Sequence, residues 1–132
     1  MTETTTPPPT ALRGAVGVWL ATAVFGVFTV GYLWIRPDAV REVLRPGGSV
    51  AEVLGPLTVA ALLFGGAYAV FAPLLLRGRR WARVALTVTA FLHLLWVMLP
   101  GVSVAGFITV LMIGIAAVLT WRRSTAHWLK EQ

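Results

Sequence analysis

Three stretches of this chain contain no Asp, Glu, Lys or Arg: residues 14–35, 53–76 and 84–121, which are 22, 24 and 38 residues long. That spacing of charge constrains the fold more than any motif does. Crossing about 30 Å of hydrocarbon takes roughly 20 apolar residues in a helix. The first two stretches are each long enough for one crossing. The third, as a single helix, would run about 57 Å, nearly two bilayers. It contains Leu99-Pro100-Gly101, a helix-stopping turn, and so divides into two crossings joined by a tight hairpin. The spans predicted are 12–35, 50–76, 80–99 and 102–121. The fold class expected is all-α, a four-helix transmembrane bundle.

Composition excludes the soluble alternatives. Hydrophobic residues make up 58% of the chain and charged residues 12%, against about 25% charge in an ordinary soluble domain. Mean hydropathy is +0.81. A soluble fold of 132 residues with this composition could not cover its own surface. The absence of cysteine removes disulfides, thiolate catalysis and Cys-based metal or cluster sites. The first apolar run is longer than a signal-peptide core and no A-x-A site follows it, so it reads as a span and not a cleaved leader.

The formal charge of +6 and pI near 11.4 first suggest nucleic acid, but the placement of the basic residues assigns them another role. Arg13, then Arg77, Arg79, Arg80 and Arg83, then Arg122, Arg123 and Lys130 fall on one side of four spans, eight in all. Arg36, Arg41 and Arg45 fall on the other. Eight against three places both termini in the cytoplasm of a multi-pass cell-membrane protein. The basic residues then serve as topology signals and as contacts to the anionic inner leaflet. No nucleic-acid-binding module is visible and no nucleic-acid partner is expected.

Between the spans, the segments divide by chemistry. Residues 1–10 end in Pro7-Pro8-Pro9 and read as a disordered Thr/Pro-rich tail. Residues 11–129 form the membrane domain. In the first, extracytoplasmic loop, Asp38/Arg41 and Glu42/Arg45 stand at i,i+3 spacing beside the apolar Val40, Val43 and Leu44. This predicts a short amphipathic helix on the membrane surface, ended by Pro46-Gly47-Gly48. Ser49 through Glu52 reads as a capping box that opens the second span. Pro56 and Pro73 suggest bends in that span. Residues 122–132, with Trp121, Arg122, Arg123, His127, Trp128 and Lys130 in or beside them, read as a basic aromatic tail anchored at the inner interface. Trp81, with Arg79, Arg80 and Arg83 around it, would pin the second loop at the same depth. Trp19 and Trp96 fall within spans and read as packing or lipid-facing residues.

His93 is the ionisable residue deep in a span, and such a group is a functional hypothesis by default. A neutral imidazole donates one hydrogen bond and accepts another. Thr89 stands one turn before it on the same helical face. The reading preferred here is a histidine that holds two helices together, because no partner acid is evident. The alternative is that His93 and Thr89 line a transport path. Haem is not expected, since His127 lies far away in the tail. No cofactor or metal is implied by any residue cluster. Small residues recur at four-residue spacing: Gly17 and Ala21, then Ala61, Gly65 and Ala69, then Gly106 and Gly114 at twice that spacing. Such strips allow close helix approach, within the bundle or in a homo-oligomer.

Two stretches carry a resemblance. The first reads Leu76-Arg77-Gly78-Arg79-Arg80-Trp81-Ala82-Arg83-Val84-Ala85-Leu86-Thr87-Val88. The second reads Val118-Leu119-Thr120-Trp121-Arg122-Arg123-Ser124-Thr125-Ala126-His127-Trp128-Leu129. Together they resemble small four-span membrane proteins of GC-rich actinobacteria. Those carry a G-[RN]-x-WAR-x-x-L-T stretch before the third span and a short aromatic-ended tail after the fourth. Ten Arg against one Lys suits such a genome. The resemblance covers roughly residues 57–129, with the first span matching only in position. It implies the four-span topology and brings no catalytic or binding residue with it. The function class expected is a non-enzymatic accessory or structural membrane protein. It would act through helix packing, lipids and another membrane protein or its own copies. A small oligomeric transporter or channel using His93 is the alternative.

Overall fold

The computed structural model describes residues 7–42, 44, 46–99 and 104–131. Among them every regular element is a helix: α1 (Thr10–Ile35), α2 (Asp38–Arg41), α3 (Val50–Leu76), α4 (Arg80–Met98), α5 (Val104–Thr120) and α6 (Arg123–Lys130). Helices α1, α3 and α4 are long and apolar enough to cross a membrane. Helix α5 has 17 residues and meets the same test when joined to α6 across a 51° bend. The described chain therefore holds three or four candidate spans. In the most apolar stretches of α1, α3 and α4 only 17–22% of residues are buried. Phe28, Leu63, Phe91 and similar large side chains on these helices are exposed.

Local chemistry explains where the helices stop. The Ser49 hydroxyl accepts a hydrogen bond from the Glu52 backbone N–H at 3.3 Å, which caps α3. At the other end of α3, Gly78 adopts φ +83°. Its N–H bonds the Leu75 carbonyl, and the Arg79 N–H reaches back to the Leu74 carbonyl. This is a Schellman ending, which needs a left-handed residue that glycine adopts without cost. It reverses the chain into α4 within a few residues. Helix α3 itself runs without interruption through Pro56 and Pro73.

Cross-helix pairs fix the directions. Trp19, early in α1, stacks on Tyr68, late in α3, at 5.1 Å between centroids. Trp34, late in α1, donates to the Thr58 hydroxyl, early in α3. These helices are therefore antiparallel. Trp19 also reaches Thr120 at the end of α5, so α5 runs against α1 as well. Phe71 meets the edge of Trp81 at 5.7 Å, closing the α3–α4 hairpin. Helix α1 is the shared neighbour, packed most extensively on α3 and α5, while the α4–α5 seam is the thinnest of the four.

The core is displaced toward one end. Leu12, Ala15, Val16 and Trp19 of α1, Tyr68, Ala72 and Leu75 of α3, Ala82, Leu86 and Ala90 of α4, and Ile113 and Ala116 of α5 form one buried cluster. Trp128 and Leu129 of α6 belong to it too. The C-terminal segment folds back under the bundle, with the Thr125 hydroxyl donating to the Leu119 carbonyl. Arg80 donates to the carbonyls of Leu129 and Lys130 at 2.9 and 2.8 Å, a cation at the negative end of α6.

Within the first loop the described residues contain one helical turn, α2. Its Val40 is buried and it packs on α3. Asp38 and Arg41 lie 3.7 Å apart with both side chains exposed, a pairing that contributes little. Val43 and the expected Glu42/Arg45 pair, the Pro100-Gly101 turn and most of the N-terminal tail lie outside the described residues.

Candidate functional site

Threonine hydroxyls recur through this bundle with a consistent use. Thr22, Thr29, Thr58, Thr87, Thr89, Thr109 and Thr120 each donate to the carbonyl four residues earlier. That bond hides a polar proton which would otherwise be costly in hydrocarbon. It leaves the hydroxyl oxygen able to accept. Three tryptophans use that oxygen from a neighbouring helix. Trp19 Nε1 donates to Thr120 at 3.0 Å, Trp34 to Thr58 at 2.9 Å, and Trp121 to Thr87 at 2.9 Å. These relays join α1 to α5, α1 to α3, and α5 to α4. At the α5–α4 relay the Arg83 guanidinium also lies 4.1 Å from the Trp121 ring centroid, a cation–π contact.

Beyond the core, toward the α2 end, the four long helices part around a cavity of about 170 Å³. Each contributes to its wall: Phe25 and Thr29 from α1, Phe64 from α3, His93 and Trp96 from α4, and Gly106 and Thr109 from α5, among others. The cavity is partly open. Next to it in the core, Trp19 and Tyr68 are 1% and 0% exposed.

His93 stands where this cavity meets the core. Its Nδ1 and the Tyr68 hydroxyl oxygen are 2.9 Å apart, and its ring lies flat against Phe64 at 4.5 Å. Tyr68 in turn stacks on Trp19. A tyrosine proton donated to Nδ1 leaves the proton on Nε2, which has no hydrogen-bond partner among the described residues. Trp96 Nε1 likewise has none. Thr89, the other residue singled out for a path, does not line the cavity. Its hydroxyl donates to Ala85.

Tyr68, Phe64 and Trp96 were not among the residues that the sequence marked as a site. Tyr68 carried a usable signal, as the tyrosine deep in a predicted span. Its pairing with His93 supplies the partner that an acid search does not find.

The interface residues separate into two groups. Trp81, Arg79, Arg122 and Arg123 are exposed at the α6 end. Arg80, Arg83 and Trp121 lie at the same end and have protein partners as described above. The small residues also divide. A Cβ on Gly65 would sit 3.7–3.8 Å from Ala23 and Val27, so α3 approaches α1 there. A Cβ on Gly17, Gly66 or Gly114 would meet nothing within 4 Å. Among the described residues no group of three His, Asp or Glu comes together as a metal site.

No protein-family model, curated protein or solved structure matches this chain.

Proposed function

We propose that this is a four-span integral protein of the cell membrane, with α6 and its arginines in the cytoplasm and α2 outside. The actinobacterial proteins that the Leu76–Val88 stretch resembles supply the same topology. The eight-to-three distribution of basic residues supports the orientation. At 17 residues, α5 reaches the lower limit for a crossing of its own. Because the chain has no cysteine, Glu42→Cys and Ser124→Cys provide clean topology reporters. A membrane-impermeant maleimide should label the first in intact cells and the second only after permeabilisation. The reverse pattern overturns the orientation.

Within that topology we assign a non-enzymatic, accessory role, in which the bundle holds a partner membrane protein or its own copies through helix packing and lipid contacts. One observation supports this reading over the transporter alternative: the core next to the cavity is closely packed. Trp19, Tyr68, Leu86 and Leu75 are at most 1% exposed, and α6 closes the core beneath them. A transport path would have to open the best-packed part of the molecule. Purification from native membranes in mild detergent, followed by native mass spectrometry, tests this. A stoichiometric foreign subunit is the expected result. A partner-free homo-oligomer, with a flux abolished by His93→Leu, overturns it.

A further inference from the structure

The cavity at the α2 end breaks the pattern that governs tryptophans in the rest of the bundle. Trp19, Trp34 and Trp121 each give their indole proton to a threonine oxygen on a neighbouring helix. Trp96 lines a cavity that also contains Thr29 and Thr109, yet it bonds neither. His93, on the same wall, has one ring nitrogen committed to Tyr68 and the other without a partner among the described residues. Two residues with ring N–H groups, three apart on one helix and hence on one face, thus line a cavity whose remaining walls are mostly Phe25, Phe64 and small aliphatic residues. Both residues are half-buried, and the protein gives the indole N–H an acceptor in three other places.

We infer that this cavity binds the ring of a lipid-soluble carbonyl compound, of quinone type, whose oxygen accepts hydrogen bonds from Trp96 and His93. Size selects the ring. An apolar cavity of about 150 Å³ takes up one benzene, and this one measures about 170 Å³. It is too small for a full acyl chain. Its aromatic walls provide stacking surfaces for a flat ring. Depth agrees as well: His93 is five residues, about 7.5 Å, from the end of α4, and Thr109 is five from the start of α5. The ring would sit just beneath the headgroups, with its apolar tail leaving through the open side into lipid. This inference goes beyond the accessory role and does not depend on whether a partner subunit exists.

Equilibrium binding to the full chain in nanodiscs tests it, with empty nanodiscs subtracted. The probe is a decyl-substituted 1,4-benzoquinone, and decylbenzene is the control that keeps ring and tail but lacks oxygen. The expected result is saturable binding of the quinone, at least about tenfold tighter than decylbenzene. Trp96→Phe and His93→Phe should each weaken it by about tenfold. Ala105→Leu, which fills the cavity, should abolish it, with helicity by circular dichroism unchanged. Absence of saturable quinone binding by the parent protein overturns the inference, which keeps the test independent of how any variant folds. Equal affinity for decylbenzene also overturns it, as does parent-like binding by a folded Ala105→Leu. A co-purifying phospholipid that blocks the probe mole for mole overturns it too, by assigning the cavity to a lipid ester.

Discussion

The two ends of this bundle are made from the same four helices and are packed in opposite ways. Toward α6, Trp19, Tyr68, Leu75, Ala82 and Leu86 are almost fully enclosed, and a fifth helical segment seals them. Toward α2, the same helices part around a cavity lined by alanine, glycine and threonine between its aromatic residues. The difference follows from side-chain size by position. Large residues point inward in the first half of α1 and the second half of α3, whereas Gly26, Ala60, Ala61, Ala105 and Gly106 occupy the corresponding inner positions beyond them. In the membrane placement proposed above, packing and interhelical hydrogen bonds would supply the cohesion between helices. A bundle cohesive at one end can leave the other open without falling apart.

The strongest way to break this contrast is Trp19→Ala. It removes the stack on Tyr68 and the bond to Thr120 together, and should cost about 3–5 kcal/mol. The matched change Phe28→Ala, at a side chain 73% exposed, should stay within about 0.5 kcal/mol. Reversible unfolding in mixed micelles measures both, and similar losses would remove the distinction between the two ends. Next in size, Gly78→Val forces a β-branched residue into φ +83° and should cost at least about 1–2 kcal/mol, read by the same unfolding assay. Arg80→Met tests whether α6 is a structural seal. It removes two charge-assisted bonds to partly exposed carbonyls, worth about 1 kcal/mol once solvent screening is allowed for. Faster hydrogen exchange confined to the amides of α6 is the expected signature. Unchanged exchange would show that Trp128 and Leu129 hold the segment alone. Apart from the Phe28→Ala control, the smallest effect belongs to the boundary between the two ends. Tyr68→Phe removes the bond to His93 and should cost about 0.6 kcal/mol, the average for an interhelical hydrogen bond in a membrane protein. A loss of several kcal/mol would mean that His93 belongs to the core and not to the cavity wall.

The helical class was legible because charge-free length is a one-dimensional property. Residues 14–35 and 53–76 carry it directly. The cap at Ser49 was legible for the same reason, since its partner lies three residues away. The site was less so. His93 stood out by chemistry, but its partner Tyr68 is 25 residues distant, and nothing local to either residue encodes the pairing. Trp19 and Thr120 are 101 residues apart. The tail read as an interfacial anchor because it mixes tryptophans with basic residues. That Trp128 and Leu129 are buried in one cluster with residues of α1 and α4 is something no single segment reveals. The cavity is a property of four helices at once and has no sequence signature of its own.

The tryptophan–threonine relays bear on how this protein can change over time. A threonine replaced by valine at position 120 would strand the indole proton of Trp19, while serine would keep it satisfied. A phenylalanine at position 19 would release position 120 from that demand, because the hydroxyl has its own carbonyl to bond. Positions 19 and 120, 34 and 58, and 121 and 87 are therefore expected to drift as couples, with loss of the tryptophan preceding loss of the hydroxyl. An alignment of true relatives would show this as three covarying pairs that link α1, α3, α4 and α5. Independent variation at those pairs would mean that the relays are dispensable.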